Sequence, residues 1–300
     1  MDFPSSSRRV IITGVNGFTG YYLKALLEAR GYRVFGIGVD IAKEAAHYFK
    51  SDIGDTDRLT EILEKVQPHY VFHLAAISFV EHSNVPAMYQ INVLGTESLL
   101  RAVVASKVKP EKILLASSAA VYGDQNREVL DETLAVNPKN HYGISKWGME
   151  QIARNFFDKL PILIVRPFNY TGVGQSPNFV IPKIIQQFKS RAELIELGNL
   201  DVFREFNHVQ FVCELYEKLI HSQAVGDVVN VCSGRAFSLQ QVLDIVSEIS
   251  GHQLRVVQNP AFMRQNEIRV LAGNTNKLEN FVGALPEASL KATLQTFFNH

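Results

Sequence analysis

The sequence predicts a doubly wound α/β fold, in which helices cover both faces of a parallel sheet. Short apolar runs alternate with segments of helical spacing through the first half of the 300-residue chain, and this alternation is typical of parallel sheets. A glycine-rich turn, TGVNGFTG at residues 13–20, joins the first apolar run to the first helical segment. The order strand, glycine turn and helix indicates a fold that is wound around a parallel sheet.

The elements can be assigned in order along the chain. The first strand is predicted at residues 9–13 and the first helix at residues 21–28. Further strands are predicted at residues 34–37, 70–74, 112–116 and 161–166, and helices at residues 57–66, 87–106 and 144–157. After Arg166 the alternation of strands and helices becomes less regular, because glycines and prolines mark loops before a helix at residues 183–189. Residues 228–231 are predicted to return to the main sheet.

The glycine turn predicts where a dinucleotide binds. Gly14 permits a tight turn, Gly17 lets a pyrophosphate approach the backbone, and Gly20 lets the helix pack against the strand. The free amide donors of the helix N-terminus then face the phosphates. We therefore predict a Rossmann-type NAD(P)-binding domain over residues 1–166, with elements near 205–232 returning to it. Residues 167–300 are predicted to form mainly a smaller, interleaved substrate-binding lobe.

Composition argues against several other classes of protein. The chain is 46% hydrophobic, and its 30 basic residues balance 30 acidic ones, so it can bury a large core and shows no charge footprint of nucleic-acid binding. Cys213 and Cys232 lack metal-ligand spacing and are too few for a disulfide framework. We expect no metal site. The first residues carry no apolar export segment, and no apolar run approaches membrane-spanning length, so we expect a cytoplasmic protein without a membrane partner.

A tyrosine and a lysine four residues apart indicate a proton-transfer site. On a helix Tyr142 and Lys146 share one face, and we expect the ammonium to lower the pKa of the phenol toward neutrality. Such a phenol can donate or accept a proton near neutral pH. The spacing alone is frequent on helix surfaces. Together with the glycine turn and the Ser117-Ser118 pair, it describes a hydride-transfer site.

These motifs, in this order, resemble the extended short-chain dehydrogenase/reductase family of nucleotide-sugar epimerases, dehydratases and reductases. The matching segments are residues 13–20, DI at 52–53, HLAA at 73–76, NVLGT at 92–96, SSAAVYG at 117–123, Tyr142 with Lys146, and RPFN at 166–169. Within the family, residues 172–176, 197–200, 204–206 and 230–234 look most like the GDP-4-keto-6-deoxy-D-mannose reductases that form GDP-D-rhamnose or GDP-6-deoxy-D-talose.

The resemblance implies three catalytic residues and a nicotinamide cofactor. Ser118 would hydrogen-bond the C4 oxygen of the substrate, Tyr142 would protonate that oxygen, and Lys146 would bind the nicotinamide ribose. Asp52 and Ile53 would hold the adenine, whereas Asn92 would order the backbone around the site. The predicted contacts with NADH or NADPH are Gly14, Asn16, Gly17, Phe18, Thr19, Gly20, Asp40, Asp52, Ile53, Leu74, Ala75, Ala76, Asn92, Tyr142 and Lys146.

The choice between NADH and NADPH stays open. Gly38 stands where NAD-selective relatives carry an acidic residue, and no arginine follows the second strand to take a 2′-phosphate. Asp40 lies two residues further on and is within reach of the ribose.

The resemblance also implies a sugar-nucleotide site and a homodimer. Arg204 and Arg264 would grip a diphosphate, because a planar guanidinium can bind it through two parallel hydrogen bonds. Glu267 would bind the ribose hydroxyls of a nucleotide that we expect to be GDP. The predicted substrate contacts are Ser78, Ser118, Asn169, Val180, Lys183, Arg204, Arg264 and Glu267. The helices at 87–106 and around Tyr142 resemble those that form a four-helix dimer interface in relatives.

Departures from the family pattern select the reaction. Ala119 and Ala120 stand where dehydratases need an acid and a base, and neither cysteine lies near the serine strand, where relatives that epimerise C3 and C5 carry one. We therefore expect reduction of the C4 ketone of a nucleotide-linked 4-keto-6-deoxyhexose, for surface polysaccharide synthesis. The alternatives are a dTDP-linked ketosugar, a C4 epimerase that retains its NAD, and a non-catalytic nucleotide-binding protein. Intact Ser118, Tyr142 and Lys146 count against the last.

Overall fold

The computed structural model describes residues 7–79, 83–263 and 269–300, and within them the predicted doubly wound α/β fold is confirmed. The main sheet of this part of the chain is parallel throughout. Its strands are apolar because both faces are buried; Val10, Ile11 and Ile12, for example, are fully buried. Their spatial order is Asp227–Val231 (β12), Ile162–Pro167 (β7), Lys112–Ala116 (β5), Tyr70–His73 (β4), Arg9–Thr13 (β1), Arg33–Gly38 (β2) and Tyr48–Lys50 (β3).

Helices cover both faces of this sheet. One face packs against α1 (Phe18–Ala29), α7 (Val209–Ile220) and α9 (Asn276–Val282). The opposite face packs against α2 (Thr56–Val66), α4 (Gly95–Ala105) and α5 (His141–Arg154). Each helix presents its apolar stripe to the sheet, so two separate cores form above and below the strands.

A smaller lobe has a core of its own. Its helices are α6 (Val180–Lys189), α8 (Leu239–Ser250) and α10 (Leu290–Asn299). Its strands are β13 (Phe237–Ser238), β10 (Phe203–Arg204), β15 (Val270–Gly273) and β6 (Val129–Leu130) in one sheet, and the pairs β11 (Asn207–His208) with β8 (Tyr170–Thr171) and β14 (Arg255–Gln258) with β9 (Leu194–Leu197). The chain interleaves the two regions: β6 joins the small sheet, and β12 returns to the main sheet as predicted.

Several elements differ from the sequence prediction, and α1 and α6 each begin three residues earlier than predicted, at Phe18 and Val180. The predicted helix at 87–106 is divided into α3 (Val85–Tyr89), a π-helical turn (Gln90–Leu94) and α4. Within the π turn, Asn92 hydrogen-bonds the amide and the carbonyl of Ile77 at 2.9 and 3.0 Å, a contact that hydrophobic periodicity does not reveal. Helix α5 begins at His141 rather than at residue 144, because Asn140 caps it by accepting from the Gly143 amide at 2.8 Å.

The sequence also did not predict the short strand β3, because three residues form no recognisable apolar run.

In the described part of the chain, no helix is both long enough and apolar enough to cross a membrane.

The carboxyl ends of the parallel strands meet at one edge of the main sheet. The glycine turn follows β1, the segment from Leu74 follows β4, Ser117 and Ser118 follow β5, and the segment from Phe168 follows β7. Ligands of open α/β sheets bind at this edge, near the point where the strand order reverses. The fold therefore places the predicted motifs together.

Candidate active site

The glycine turn brings three backbone segments into contacts that a side chain would block. Gly14 has a φ of +70°, and a Cβ atom there would lie 2.9 Å from the backbone of Ala75. A Cβ atom on Gly20 would lie 2.3 Å from the carbonyl oxygen of Gly14. The first glycine thus lets the segment after β4 approach the turn, and the second lets α1 begin directly against it.

A buried hydrogen-bond chain fixes the strand ends beside the turn. The Thr13 hydroxyl lies 2.8 Å from His73 Nδ1, and Thr96 lies 2.9 Å from the other ring nitrogen. The Thr13 oxygen also accepts from the amides of Leu74 and Ala75, each at 3.2 Å. Burial, and secondarily the charge of Lys146, lowers the pKa of His73 to about 3. The imidazole is therefore neutral and serves as a structural connector.

The structure brings the three predicted catalytic residues together. The Tyr142 phenol lies close to the Ser118 hydroxyl, both residues line the same cavity, and the Ser118 oxygen accepts from the Ala120 amide at 3.1 Å. Lys146 donates from Nζ to the carbonyl oxygen of Ala116 at 2.7 Å. These contacts place the tyrosine and the lysine against the segment that leaves β5.

Gly143 makes this approach possible. A Cβ atom at this position would lie 2.7 Å from the carbonyl oxygen of Ala120. The first turn of α5 therefore packs directly on the 3₁₀ turn Ala119–Val121, and Tyr142 reaches Ser118 because no side chain separates the two backbones.

Burial shifts the pKa values of the tyrosine and the lysine in opposite directions. It raises the pKa of Tyr142, an effect that the nearby Ser118 hydroxyl partly offsets. Burial lowers the pKa of Lys146 to about 8, and the Glu150 carboxylate opposes that change. The sequence prediction of a lowered Tyr142 pKa is therefore wrong, because desolvation of the phenolate dominates. At neutral pH the phenol keeps its proton, as a proton donor must.

These residues line a cavity of about 740 Å³ between the sheet edge and the lobe. Its volume falls within the range of small-molecule and cofactor sites. Predicted site residues on its wall are Gly14, Gly17, Phe18, Thr19, Gly20, Leu74, Ala76, Ser78, Ser118, Tyr142, Lys146, Asn169 and Arg204. The lobe contributes Phe179 and Met263, which the sequence did not single out.

Other predicted residues lie behind this wall or beside it. Asn92 is buried and holds Ile77 and Ser145, which agrees with the ordering role expected for it. Asp52 accepts from the Gly54 amide at 2.7 Å, and Ile53 packs against Gly95. The remaining predicted cofactor contacts outside the described cavity wall are Asn16, Asp40 and Ala75. Their roles toward a cofactor stay predictions.

The predicted substrate contacts are more dispersed. Arg204 lies on the cavity wall and donates from one guanidinium nitrogen to the carbonyls of Phe203 and Arg269 at 2.8 and 3.2 Å. Lys183 instead donates to the carbonyl oxygen of Glu196 at 2.7 Å and lies 4.2 Å above the ring of Phe262. Val180 begins α6 and packs in the core of the lobe.

Arg264 and Glu267 lie outside the described residues. Their predicted roles, in gripping the diphosphate and binding the nucleotide ribose, remain predictions from the resemblance.

Sequence reasoning missed the polar residues that support the site. Glu150 forms a buried ion pair with Arg166 at 2.7 Å and accepts from Ser117 at 2.5 Å. Tyr170 lies on the cavity wall, with its hydroxyl 2.7 Å from the Thr19 hydroxyl. One signal was available: Glu150 follows Lys146 by four residues, on the same helix face as Tyr142. Sequence does not show whether such a charge is buried.

Comparison with known proteins identifies the family. The family profile described as GDP-mannose 4,6 dehydratase matches residues 11–297. The GDP-6-deoxy-D-talose 4-dehydrogenase of Aggregatibacter actinomycetemcomitans is 37% identical over 276 residues, which cover 92% of this chain and 91% of the relative. The GDP-6-deoxy-D-mannose reductase of Pseudomonas aeruginosa is 32% identical over 304 residues, with coverage of 98% and 97%.

Solved structures agree in fold over the full chain. A putative epimerase from Burkholderia cenocepacia matches with a TM-score of 0.92 at 40% identity, covering 99% of this chain and 98% of the other. The RMD protein of Pseudomonas aeruginosa, solved in complex with NADPH, matches with a TM-score of 0.86 at 29% identity, with coverage of 98% and 97%.

The fold, the site and these matches define the class of protein as an NAD(P)-dependent oxidoreductase. The chain belongs to the GDP-mannose 4,6 dehydratase family, within the extended short-chain dehydrogenases/reductases. The family prediction made from the sequence motifs is confirmed.

The close packing at Gly143 is testable. We expect Gly143→Ala to lower turnover on the order of 10²-fold, because the new methyl group forces α5 away from Ala120 and a displacement of about 1 Å at a reacting group has that effect. Turnover is followed by nicotinamide absorbance and folding by circular dichroism. Gly148→Ala is the matched control, because a Cβ atom there would meet only the side chain of Val93, at 3.2 Å. Equal turnover of both variants would contradict the packing argument.

Proposed function

We propose that this protein reduces the C4 ketone of a GDP-linked 4-keto-6-deoxyhexose, with NADH or NADPH as the hydride donor. The observation that carries the proposal is a protonated Tyr142 phenol, close to Ser118, on the wall of the cavity that the glycine turn also lines. The names of the two relatives described above, a 6-deoxytalose dehydrogenase and a 6-deoxymannose reductase, support this substrate class.

The residues present fit a nicotinamide dinucleotide. The N-terminus of α1 opens onto the cavity through Gly17, Phe18 and Thr19, and free amides at a helix N-terminus suit a pyrophosphate. Lys146, further along the same wall, would hold the nicotinamide ribose. The cofactor would supply the hydride.

The protein's own part in the reaction is then to hold and deliver a proton. As negative charge develops on the C4 oxygen, Tyr142 would donate its phenolic proton to that oxygen. The Ser118 hydroxyl would hydrogen-bond the same oxygen and fix its position. The high pKa of the phenol suits this direction, because Tyr142 holds its proton until the alkoxide, a far stronger base, forms beside it.

The cavity wall also bears on the choice of reaction. Ala119 and Ala120 line it directly after Ser118, and neither can act as the acid or base that removal of water requires. Reduction of a ketone made by a separate dehydratase fits this wall better. Arg204, Asn169 and Ser78 offer polar contacts for the sugar nucleotide. We propose a cytoplasmic enzyme of surface polysaccharide synthesis that acts after such a dehydratase.

The function is tested by order of addition. We expect purified protein to leave GDP-mannose unchanged, yet to consume one NADH or NADPH per GDP-4-keto-6-deoxy-D-mannose when a separate dehydratase supplies it. Product NMR then distinguishes GDP-D-rhamnose from GDP-6-deoxy-D-talose. Consumption of only the dTDP-linked ketosugar would reject the GDP assignment. Epimerisation of a hexose nucleotide without net loss of cofactor would establish the epimerase alternative.

The proton donor is tested by Tyr142→Phe. We expect turnover to fall by about 10²–10⁴-fold, the usual contribution of general acid catalysis, with cofactor affinity nearly unchanged because only a hydroxyl is removed. Tyr21→Phe is the matched control, since Tyr21 is 65% exposed on α1. Wild-type turnover in folded Tyr142→Phe would remove Tyr142 from the mechanism.

We also propose a homodimer formed through α4 and α5. The large apolar side chains Val104 and Ile144 are exposed on these helices, and water-exposed apolar patches favour association. Light scattering should give twice the chain mass of 33.6 kDa, and Ile144→Glu should reduce it to one chain. Val225→Glu, at another exposed apolar position, should leave the mass unchanged. A monomeric wild type at micromolar concentration would exclude the dimer and leave the chemistry untouched.

A further inference from the structure

Beneath the catalytic residues lies a fully buried carboxylate. Glu150 has no exposed surface and Arg166 is 3% exposed. The two side chains form a bidentate pair, in which Arg166 Nε donates to Oε1 at 2.9 Å and a terminal nitrogen donates to Oε2 at 2.7 Å. Ser117 donates to Oε1 at 2.5 Å. The carboxylate thus has partners on both oxygens, as a buried charge requires.

The carboxylate and its two partners come from the three elements that carry the predicted chemistry. Ser117 follows β5 and precedes Ser118 in the chain. Glu150 lies on α5, one helical turn beyond Lys146. Arg166 is on β7 and leads into the segment that places Asn169 on the cavity wall. A shift of any one element would lengthen a hydrogen bond to this single carboxylate.

The pair is anchored further into the sheet. Arg166 lies 4.8 Å above the ring of Tyr122, and the Tyr122 hydroxyl donates to Asn230 on β12 at 2.7 Å. Burial opposes the charge of Arg166, but the hydrogen bonds and charge of Glu150 outweigh it and raise the pKa of the guanidinium. The guanidinium therefore stays charged, and contacts with Glu150, Tyr122 and, through Tyr122, Asn230 fix its position.

We propose that Glu150 is a positioning residue, which holds Ser118, Lys146 and the Asn169 segment in one geometry and sustains the positive charge of the Lys146 ammonium. The proposal rests on the proposed function in one respect: Lys146 is taken to contact the cofactor.

The charges that face Lys146 are few. From β4 comes His73, which is neutral, and from α5 itself come Tyr142, which is protonated, and Glu150. Arg166 on β7 reaches the region through its pair with Glu150. The π turn Gln90–Leu94 and the 3₁₀ turn Ala119–Val121, which also pack against α5, carry no titratable side chain. The other helices packed there carry Tyr89 on α3, and Glu97 and Arg101 on α4, which form an ion pair with each other.

The sign of the effect follows from these contacts. The Glu150 carboxylate raises the pKa of Lys146 against the effect of burial, to a net value of about 8. Replacing the carboxylate with an amide removes that support, so the ammonium loses its proton at lower pH. Any property that needs the ammonium, such as cofactor affinity, is then lost at a lower pH.

The experiment is a pH titration of cofactor affinity, which requires no sugar substrate. The dissociation constant of the reduced cofactor is measured by fluorescence from acid to alkaline pH. In the wild type we expect the dissociation constant to rise above about pH 8. In Glu150→Gln we expect this rise to begin about one pH unit lower, the size expected for loss of one neighbouring charge. Glu248→Gln is the control, because Glu248 forms an exposed ion pair with Lys291 in the lobe. Its profile should follow the wild type.

Turnover of the ketosugar gives a second, separate readout. In Glu150→Gln we expect kcat to fall on the order of 10²-fold and the KM of the sugar to stay unchanged, since the altered group is remote from the nucleotide. If the wild type does not reduce the ketosugar, the proposed function fails, while the cofactor titration still decides the role of Glu150.

A double variant keeps the test possible if Glu150→Gln does not fold. If Glu150→Gln leaves Arg166 unpaired and does not fold, the double variant Glu150→Gln/Arg166→Met removes both charges and is titrated in its place, because replacing a whole buried ion pair is often tolerated. A shift to lower pH is expected here too, but a smaller one, because loss of the Arg166 charge partly compensates for loss of the carboxylate. If the dissociation constant of the folded variant rises at the same pH as in the wild type, the proposal is overturned. The ion pair is then a purely stabilising contact.

Discussion

The buried ion pair between Glu150 and Arg166 joins the catalytic helix to the main sheet. Neither charge could be buried alone, because desolvation would cost several kcal/mol per ion. Each therefore requires the other, and together they require α5 and β7 to lie at one separation. Ser117 adds the end of β5 to the same junction. This polar contact below the cavity therefore supports the positions that the contacts of Lys146 and Gly143 give to the residues of the site.

Direct packing of backbones is the second constraint on the site. Gly20 brings α1 onto the glycine turn, and Gly143 brings α5 onto the 3₁₀ turn after Ser118. In both places a helix begins against another backbone, at a distance that excludes a Cβ atom. The first contact shapes the proposed dinucleotide site and the second brings the phenol to the serine. Glycine is required at both for space, not for an unusual φ angle.

Burial then sets the protonation states of the site. Desolvation disfavours the charged form of each group. It therefore keeps the proton on Tyr142 and makes Lys146 lose its proton more easily. Glu150 limits the second effect. The balance leaves a protonated phenol beside a lysine that titrates near the alkaline end of the physiological range. Such a pair suits delivery of a proton to a developing alkoxide, as the proposed ketone reduction requires.

The sequence by itself determined the sheet, the glycine turn and the family, because these depend on local periodicity and on motifs of fixed spacing. It also predicted Ser118, Tyr142 and Lys146 in one site, because their motifs occur in the order found in the family. Only the tertiary structure decided the rest. The burial of Glu150, the high pKa of Tyr142 and the engagement of Lys183 with Glu196 depend on groups distant in the chain. Desolvation and long-range pairing are properties of the assembled fold, and no local pattern encodes them.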